Sequence, residues 1–333
     1  MTVPIWVWVL TLGATLALLL VDVLVIGRRP HVPSAKETGG ALVFYVGLAL
    51  LFGVGVWIFA GGDFAGQYFA GWLTEYSLSI DNLFVFLIIM AKFGVPEKLQ
   101  QWALMVGIVI ALVLRAIFIA IGAAAINNFS WVFYVFGAFL VYTAVKLATD
   151  KDDDEEEYQE NALLRLIERR FPATKEWHGT KLRISEGGKK LVTPMFIVIL
   201  ALGTTDLLFA LDSIPAIYGL TKEPFLVLTA NIFALMGLRQ LYFLIGGLLK
   251  KLVYLSVGLS VLLAFIGVKL VLHAMHENEL PFINGGEHIE WAPDLSTTFS
   301  LVAIVVILGV TTVASLLKSR HDARLEQQEG VRS

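Results

Sequence analysis

The chain has 333 residues, 57% of them hydrophobic and 16% charged, with a mean hydropathy of +0.75 and a formal net charge of −3. Apolar runs of about 20 residues recur along it and exclude a soluble domain, and their length and lack of alternation exclude a β-barrel. There is no cysteine, which excludes disulfides, thiol catalysis and soft thiolate metal sites.

The expected fold is an all-α polytopic membrane protein of about nine transmembrane helices. Spans are expected near 3–27, 39–60, 66–91, 100–125, 129–149, 193–218, 224–248, 252–274 and 298–318. Met1 to Leu10 lacks the basic region of a cleaved signal and reads as part of the first span. Asp22 lies near the end of that span, ahead of Arg28 and Arg29. Lys36 precedes span 2, Lys92 and Lys98 follow span 3, and nine Lys and Arg lie in the segment after span 5. Lys250 and Lys251 follow span 7, and Lys318, Arg320 and Arg324 follow span 9. The alternate connections are nearly free of basic residues. The N-terminus is therefore expected outside a plasma (inner) membrane and the C-terminus in the cytoplasm.

The insert 150–192 opens on seven acids, Asp150, Asp152, Asp153, Asp154, Glu155, Glu156 and Glu157. It reads first as a solvated linker, with attraction of divalent cations as the alternative. A short amphipathic helix is expected around Leu163, Leu164, Leu166 and Ile167, then a β-hairpin over 181–192. Residues 275–297 form an extracytoplasmic loop. His273, His276, Glu277, Glu279, Glu287, His288, Glu290 and Asp294 make that end acidic and His-bearing, with metal capture there the lesser reading.

Span 3 contains Glu75-Tyr76-Ser77-Leu78-Ser79-Ile80-Asp81-Asn82. The pattern returns 131 residues later in span 6 as Asp206-Leu207-Leu208-Phe209-Ala210-Leu211-Asp212-Ser213. Further echoes follow at identical spacing. Gly107, Leu114-Arg115 and Gly122 in span 4 match Asn231, Leu238-Arg239 and Gly246 in span 7. Ala144-Val145-Lys146-Leu147 in span 5 matches Gly267-Val268-Lys269-Leu270 in span 8. Residues 66–149 and 193–274 therefore read as a duplication of three spans. An odd number of spans puts the second copy upside down, the inverted 3+3 repeat of many secondary transporters. Residues 1–65 and 298–333 lie outside the repeat.

A carboxylate at the centre of a membrane helix costs about 2.5–3.5 kcal/mol to insert. This chain carries Asp22, Glu75, Asp81, Asp206 and Asp212 against two deep bases, Arg115 and Arg239. The surplus must be neutralised by protons or by a bound cation. With oxygen ligands only, a hard ion is expected: Mn²⁺, Ca²⁺ or Mg²⁺. Ser77, Ser79, Asn82, Thr204, Thr205 and Ser213 could add oxygen ligands, and Asn231 falls at a landmark of the second copy.

Positions i and i+6 of a helix are turned by about 240° and separated by about 9 Å. Either spans 3 and 6 are broken, with Pro215 favouring a break in span 6, or each acid meets a partner from the other copy. Inversion would then set Glu75 level with Asp212 and Asp81 level with Asp206, one acid of each pair taking a proton when a cation leaves. The alternative is that Arg115 and Arg239 pair with acids as structural salt bridges that fix helix register.

The stretches from Glu75 to Phe86 and from Thr205 to Ala216 resemble the paired signatures of the TerC/Alx family, as do Asn231-Ile232-Phe233-Ala234 and Leu238-Arg239. The resemblance covers roughly residues 5–318. The family is placed with lysine-exporter-like transporters, is named for tellurium resistance, and has members implicated in Mn²⁺ export. The resemblance implies that Glu75, Asp81, Asp206 and Asp212 are transport carboxylates, with Mn²⁺ as the favoured substrate and Ca²⁺ as the alternative. Gly203 stands where the family often has Glu. A transporter with no resident cofactor, no nucleic-acid partner and no enzymatic activity is expected. The competing reading is a membrane scaffold of a tellurite- or metal-stress complex whose acids are structural. An intramembrane aspartyl protease is disfavoured, because no Gly-x-Gly-Asp pattern is present.

Overall fold

The computed structural model describes residues 3–28, 32–129, 131–149, 174, 176–186, 189–245, 253–278, 280–289, 291–293 and 295–330. Nine helices of these residues are long and apolar enough to cross a membrane. They are α1 (Ile5–Arg28), α2 (Ala35–Ala60), α3 (Gly62–Lys92), α4 (Glu97–Asn128), α5 (Val132–Thr149), α6 (Pro194–Tyr218), α7 (Pro224–Ile245), α8 (Leu255–His276) and α9 (Thr297–Gly330). Between α5 and α6 the strands β1 (Arg183–Glu186) and β2 (Lys189–Val192) pair antiparallel, Arg183 opposite Val192. The expected hairpin is there; the amphipathic helix expected near Leu163 falls outside the described residues.

Local chemistry sets the boundaries. Ser34 caps α2 by accepting from the Glu37 N–H at 3.2 Å, and Thr193 caps α6 by accepting from the Phe196 N–H, with Pro194 at the first turn. Gly61 alone separates α2 from α3, at φ +100°, a backbone that side chains resist.

Two expectations are corrected. Neither α3 nor α6 is broken between its acids. Pro215 lies in the last turn of α6, where the Gly219 N–H still reaches the Pro215 carbonyl at 2.9 Å and carries the helix to its end. α9 also continues past the expected 318 as one helix to Gly330.

The layers follow from burial. In α7, 94% of the spanning window is buried, against 11% in α1 and 17% in α9, so α7 is central and those two are peripheral. α3 packs on α7, α4 on α6, and α5 on α8, with α2 across α3 and α7 and α9 along α3 and α8. The α5–α8 seam is backbone to backbone. A Cβ on Gly137 would lie 2.8 Å from the Gly267 carbonyl oxygen, and one on Gly267 would lie 2.9 Å from that of Gly137. At one end of the bundle Thr221 donates to Gln67 at 2.6 Å and Lys222 pairs with Glu277 at 2.7 Å. At the other, Tyr242 donates to Gln100 at 3.2 Å.

Candidate functional site

Three of these helices meet at a buried charge cluster. Asp206 is the midpoint of α6, Glu75 is midway along α3, and Arg115 is midway along α4. All three side chains are at most 1% exposed. Arg115 grips Asp206 with two parallel bonds, Nε to Oδ2 at 2.7 Å and Nη2 to Oδ1 at 3.1 Å. Its Nη1 donates to Glu75 Oε1 and to Ser213 Oγ at 3.2 Å. Ser79, one turn beyond Glu75, donates to the same Oε1 at 3.3 Å. A planar guanidinium suits this, because its fork matches a carboxylate and leaves further N–H groups for a second acid.

Two carboxylates and one guanidinium leave one negative charge in a low-dielectric interior, where uncompensated charge is expensive. The shortfall shows in the hydrogen bonding. Glu75 Oε2 is buried without a partner, as are Thr74 Oγ1 and Trp72 Nε1 on the same helix and both polar atoms of Asn231 on α7. Buried polar atoms without partners are uncommon and mark places where an ion or water is expected to act.

The other expected residues are distributed differently. Arg239 does not join Arg115; its Nη2 meets Asp22 of α1 at 3.0 Å, and Tyr45 of α2 donates to the same oxygen at 2.6 Å. Arg239 Nη1 is buried without an acceptor. Asp212 is half-buried and accepts from Thr143 of α5 at 3.2 Å. The expected pairing of Glu75 with Asp212 is therefore corrected: Glu75 shares its arginine with Asp206. The rotation of α6 about its axis decides this, presenting Asp206 to Arg115 of α4 and Asp212 to Thr143 of α5. The side chain of Asp81 lies outside the described residues. Asn82 and Thr205 are buried, and Thr204 donates to the Leu200 carbonyl at 2.7 Å.

Among the described residues no three acidic or histidine side chains converge as a ready metal cluster. That holds for the His-bearing end, where His273 approaches Glu277 at 3.3 Å and His288 Nδ1 meets the His276 carbonyl at 2.6 Å. Glu279, Glu290 and Asp294 lie outside the described residues. Burial alone would raise the Glu277 carboxyl. The Lys222 hydrogen bond and the charges of His273, Lys222 and His276 outweigh it and hold the group below its ordinary value. Two contributors, Tyr45 and Thr143, escaped the sequence reading. Each is one hydroxyl in an apolar run, and only the packing tells which acid it meets.

Nine apolar helices among the described residues, with a carboxylate–arginine cluster buried between three of them, define an integral, multi-pass membrane protein. The description "Integral membrane protein TerC family" matches residues 60–323, and the chain belongs to that family. An uncharacterized membrane protein of Mycobacterium tuberculosis is 46% identical over 96% of this chain and 81% of its own length. One from Myxococcus xanthus is 40% identical over 94% and 93%. The Escherichia coli protein Alx, named as a proposed membrane-bound redox modulator, is 33% identical over 92% of each chain. No solved structure matches the chain.

Proposed function

We propose that the protein is a secondary transporter that exports a divalent cation, Mn²⁺ in preference to Ca²⁺, through the carboxylates of α3 and α6. The observation that carries this reading is the buried cluster of Glu75, Asp206 and Arg115, one positive charge short, with Glu75 Oε2 unpartnered. Its donors are carboxylate and hydroxyl oxygens in a chain without cysteine, a set that favours hard cations. A cation entering the pair competes with Arg115 for the same oxygens, which favours release over retention. Asp212, and Asp81 by its position in the repeated pattern, serve as further stations along the two helices. The reading needs no resident cofactor and no enzymatic step.

The same reading holds that 66–149 and 193–274 are inverted copies in a plasma membrane, N-terminus outside and C-terminus in the cytoplasm. The packing supports it. Exchanging α3, α4 and α5 for α6, α7 and α8 turns the α3–α7 contact into α4–α6 and maps α5–α8 onto itself. A Cβ on Gly107 would meet Leu202 at 3.1 Å, and one on Gly71 would meet Ala230, next to Asn231, at 3.6 Å. The repeat shifts carry 71 to 202 and 107 to 231.

One observation favours the alternative, a membrane scaffold for a metal- or tellurite-stress complex: Arg115 engages both acids fully enough to act as a structural lock. Substitution separates the two. Asp206→Asn and Asp212→Asn keep volume and remove charge, so insertion is preserved. In cells under Mn²⁺ stress, either variant at wild-type abundance is expected to raise cellular manganese to the level of cells without the protein. Wild-type manganese content in both variants would leave the scaffold.

A further inference from the structure

The hairpin holds a cleft that the charge cluster does not use. It is open, about 560 Å³ in volume, and lined by His178, Lys181, Arg183, Ile184 and Ser185. No acid lines it. Arg183 and Ser185, two apart on β1, share one face of the strand at about 7 Å spacing. The cleft is fixed to α6. The Thr193 N–H donates to the Leu182 carbonyl at 3.1 Å, and its hydroxyl donates to the Lys181 carbonyl at 2.6 Å while capping the helix. The Arg183 guanidinium stands 5.9 Å from the centroid of the Phe196 ring, and Trp177 packs on the buried cluster that includes Met195 and Val198. The cleft is thus held where the chain passes from water into the apolar span that starts at Pro194.

We propose that this cleft binds the phosphate headgroup of an anionic phospholipid in the leaflet that α6 enters. Lys181 and Arg183 supply basic donors, and a guanidinium fork with a nearby hydroxyl suits phosphate oxygens. Ile184 offers an apolar wall to the glycerol end of the lipid. Basic side chains beside a membrane are drawn to anionic headgroups. A soluble phosphate would satisfy the same donors; the position at the start of a membrane span selects the lipid.

The test uses the full chain in a neutral detergent, titrated with short-chain phosphatidylglycerol and followed by thermal unfolding. A saturable rise in melting temperature is expected for the wild type, and none with phosphatidylcholine or inorganic phosphate. Lys181→Gln with Arg183→Gln is expected to require about thirtyfold more lipid, each basic residue contributing roughly fivefold. Arg183→Lys keeps the charge and loses the fork, so it is expected to fall between the wild type and the double variant. An unchanged lipid requirement in the double variant, or an equal response to phosphatidylcholine, would overturn the proposal. An equal response to inorganic phosphate would assign the cleft to a soluble ligand instead. Should the double variant melt early without lipid, Ser185→Asp decides, read by native mass spectrometry. Loss of bound phosphatidylglycerol supports the site, and retention at the wild-type level overturns it.

Discussion

Arg115 serves two acids with one charge, and substitutions there have unequal consequences. Arg115→Gln leaves Glu75 and Asp206 facing each other in a buried site, which is expected to cost about 3–5 kcal/mol, the usual effect of stripping a partner from a buried pair. Asp206→Asn leaves Glu75 and Arg115, a neutral pair, and is expected to cost clearly less. Denaturant or thermal unfolding of the purified variants orders them; Asp206→Asn as the worse of the two would contradict the charge count. The residue types of this site were legible, because acids and arginines stand out in apolar runs. Which acid met which arginine was not. Sequence matching paired Arg115 with Arg239 as equivalents, whereas packing sends one to Glu75 and Asp206 and the other to Asp22. That choice depends on how each helix is rotated about its axis, which spacing along one chain does not encode.

Helix existence was the most legible level, because a run of about 20 apolar residues has one stable form in hydrocarbon. Continuity was less so. Pro215 looked like a break, yet α6 runs through it: the residue forgoes one N–H bond, and the Gly219 N–H still reaches its carbonyl at 2.9 Å. The seam between α5 and α8 was equally hidden, since Gly137 and Gly267 look like any two of the chain's 29 glycines. Contact gives them their meaning: a methyl on Gly137 would also press 2.7 Å from Val271 Cγ2. Gly137→Ala is expected to cost about 1–3 kcal/mol, as overpacking does. Gly309, with open space around it, is the control: Gly309→Ala should not destabilise. Equal melting of the two variants would mean that the seam can widen freely.

Across the whole molecule, the charged clasp at one end has a pH dependence of known sign. Glu277 sits below its ordinary value of 4.5 in the folded chain, so its contribution is present above that value and fades as pH falls through the lowered one. Lys222 and Glu277 are each more than two-fifths exposed, so the pair contributes no more than about 0.5 kcal/mol. Protection from hydrogen exchange in the turn at Leu220–Glu223, taken relative to the intrinsic rate at each pH, is expected to weaken on acidification through the lowered Glu277 value. Glu277→Gln should show that weaker protection already at pH 7 and lose its change with acid. Identical profiles for wild type and variant would remove Glu277 from the account.

The clasp of Asp22 with Arg239 also has a consequence in time. The ribosome makes α1 first, and the arginine that neutralises its acid emerges 217 residues later, within α7. At about 5–20 residues per second that is a wait of roughly 10–40 s. Once α2 is made, Asp22 has the Tyr45 hydroxyl for company, but Arg239 is still to come. The least buried spanning helix, α1, thus gains this ion pair only once α7, the most buried one, has been made.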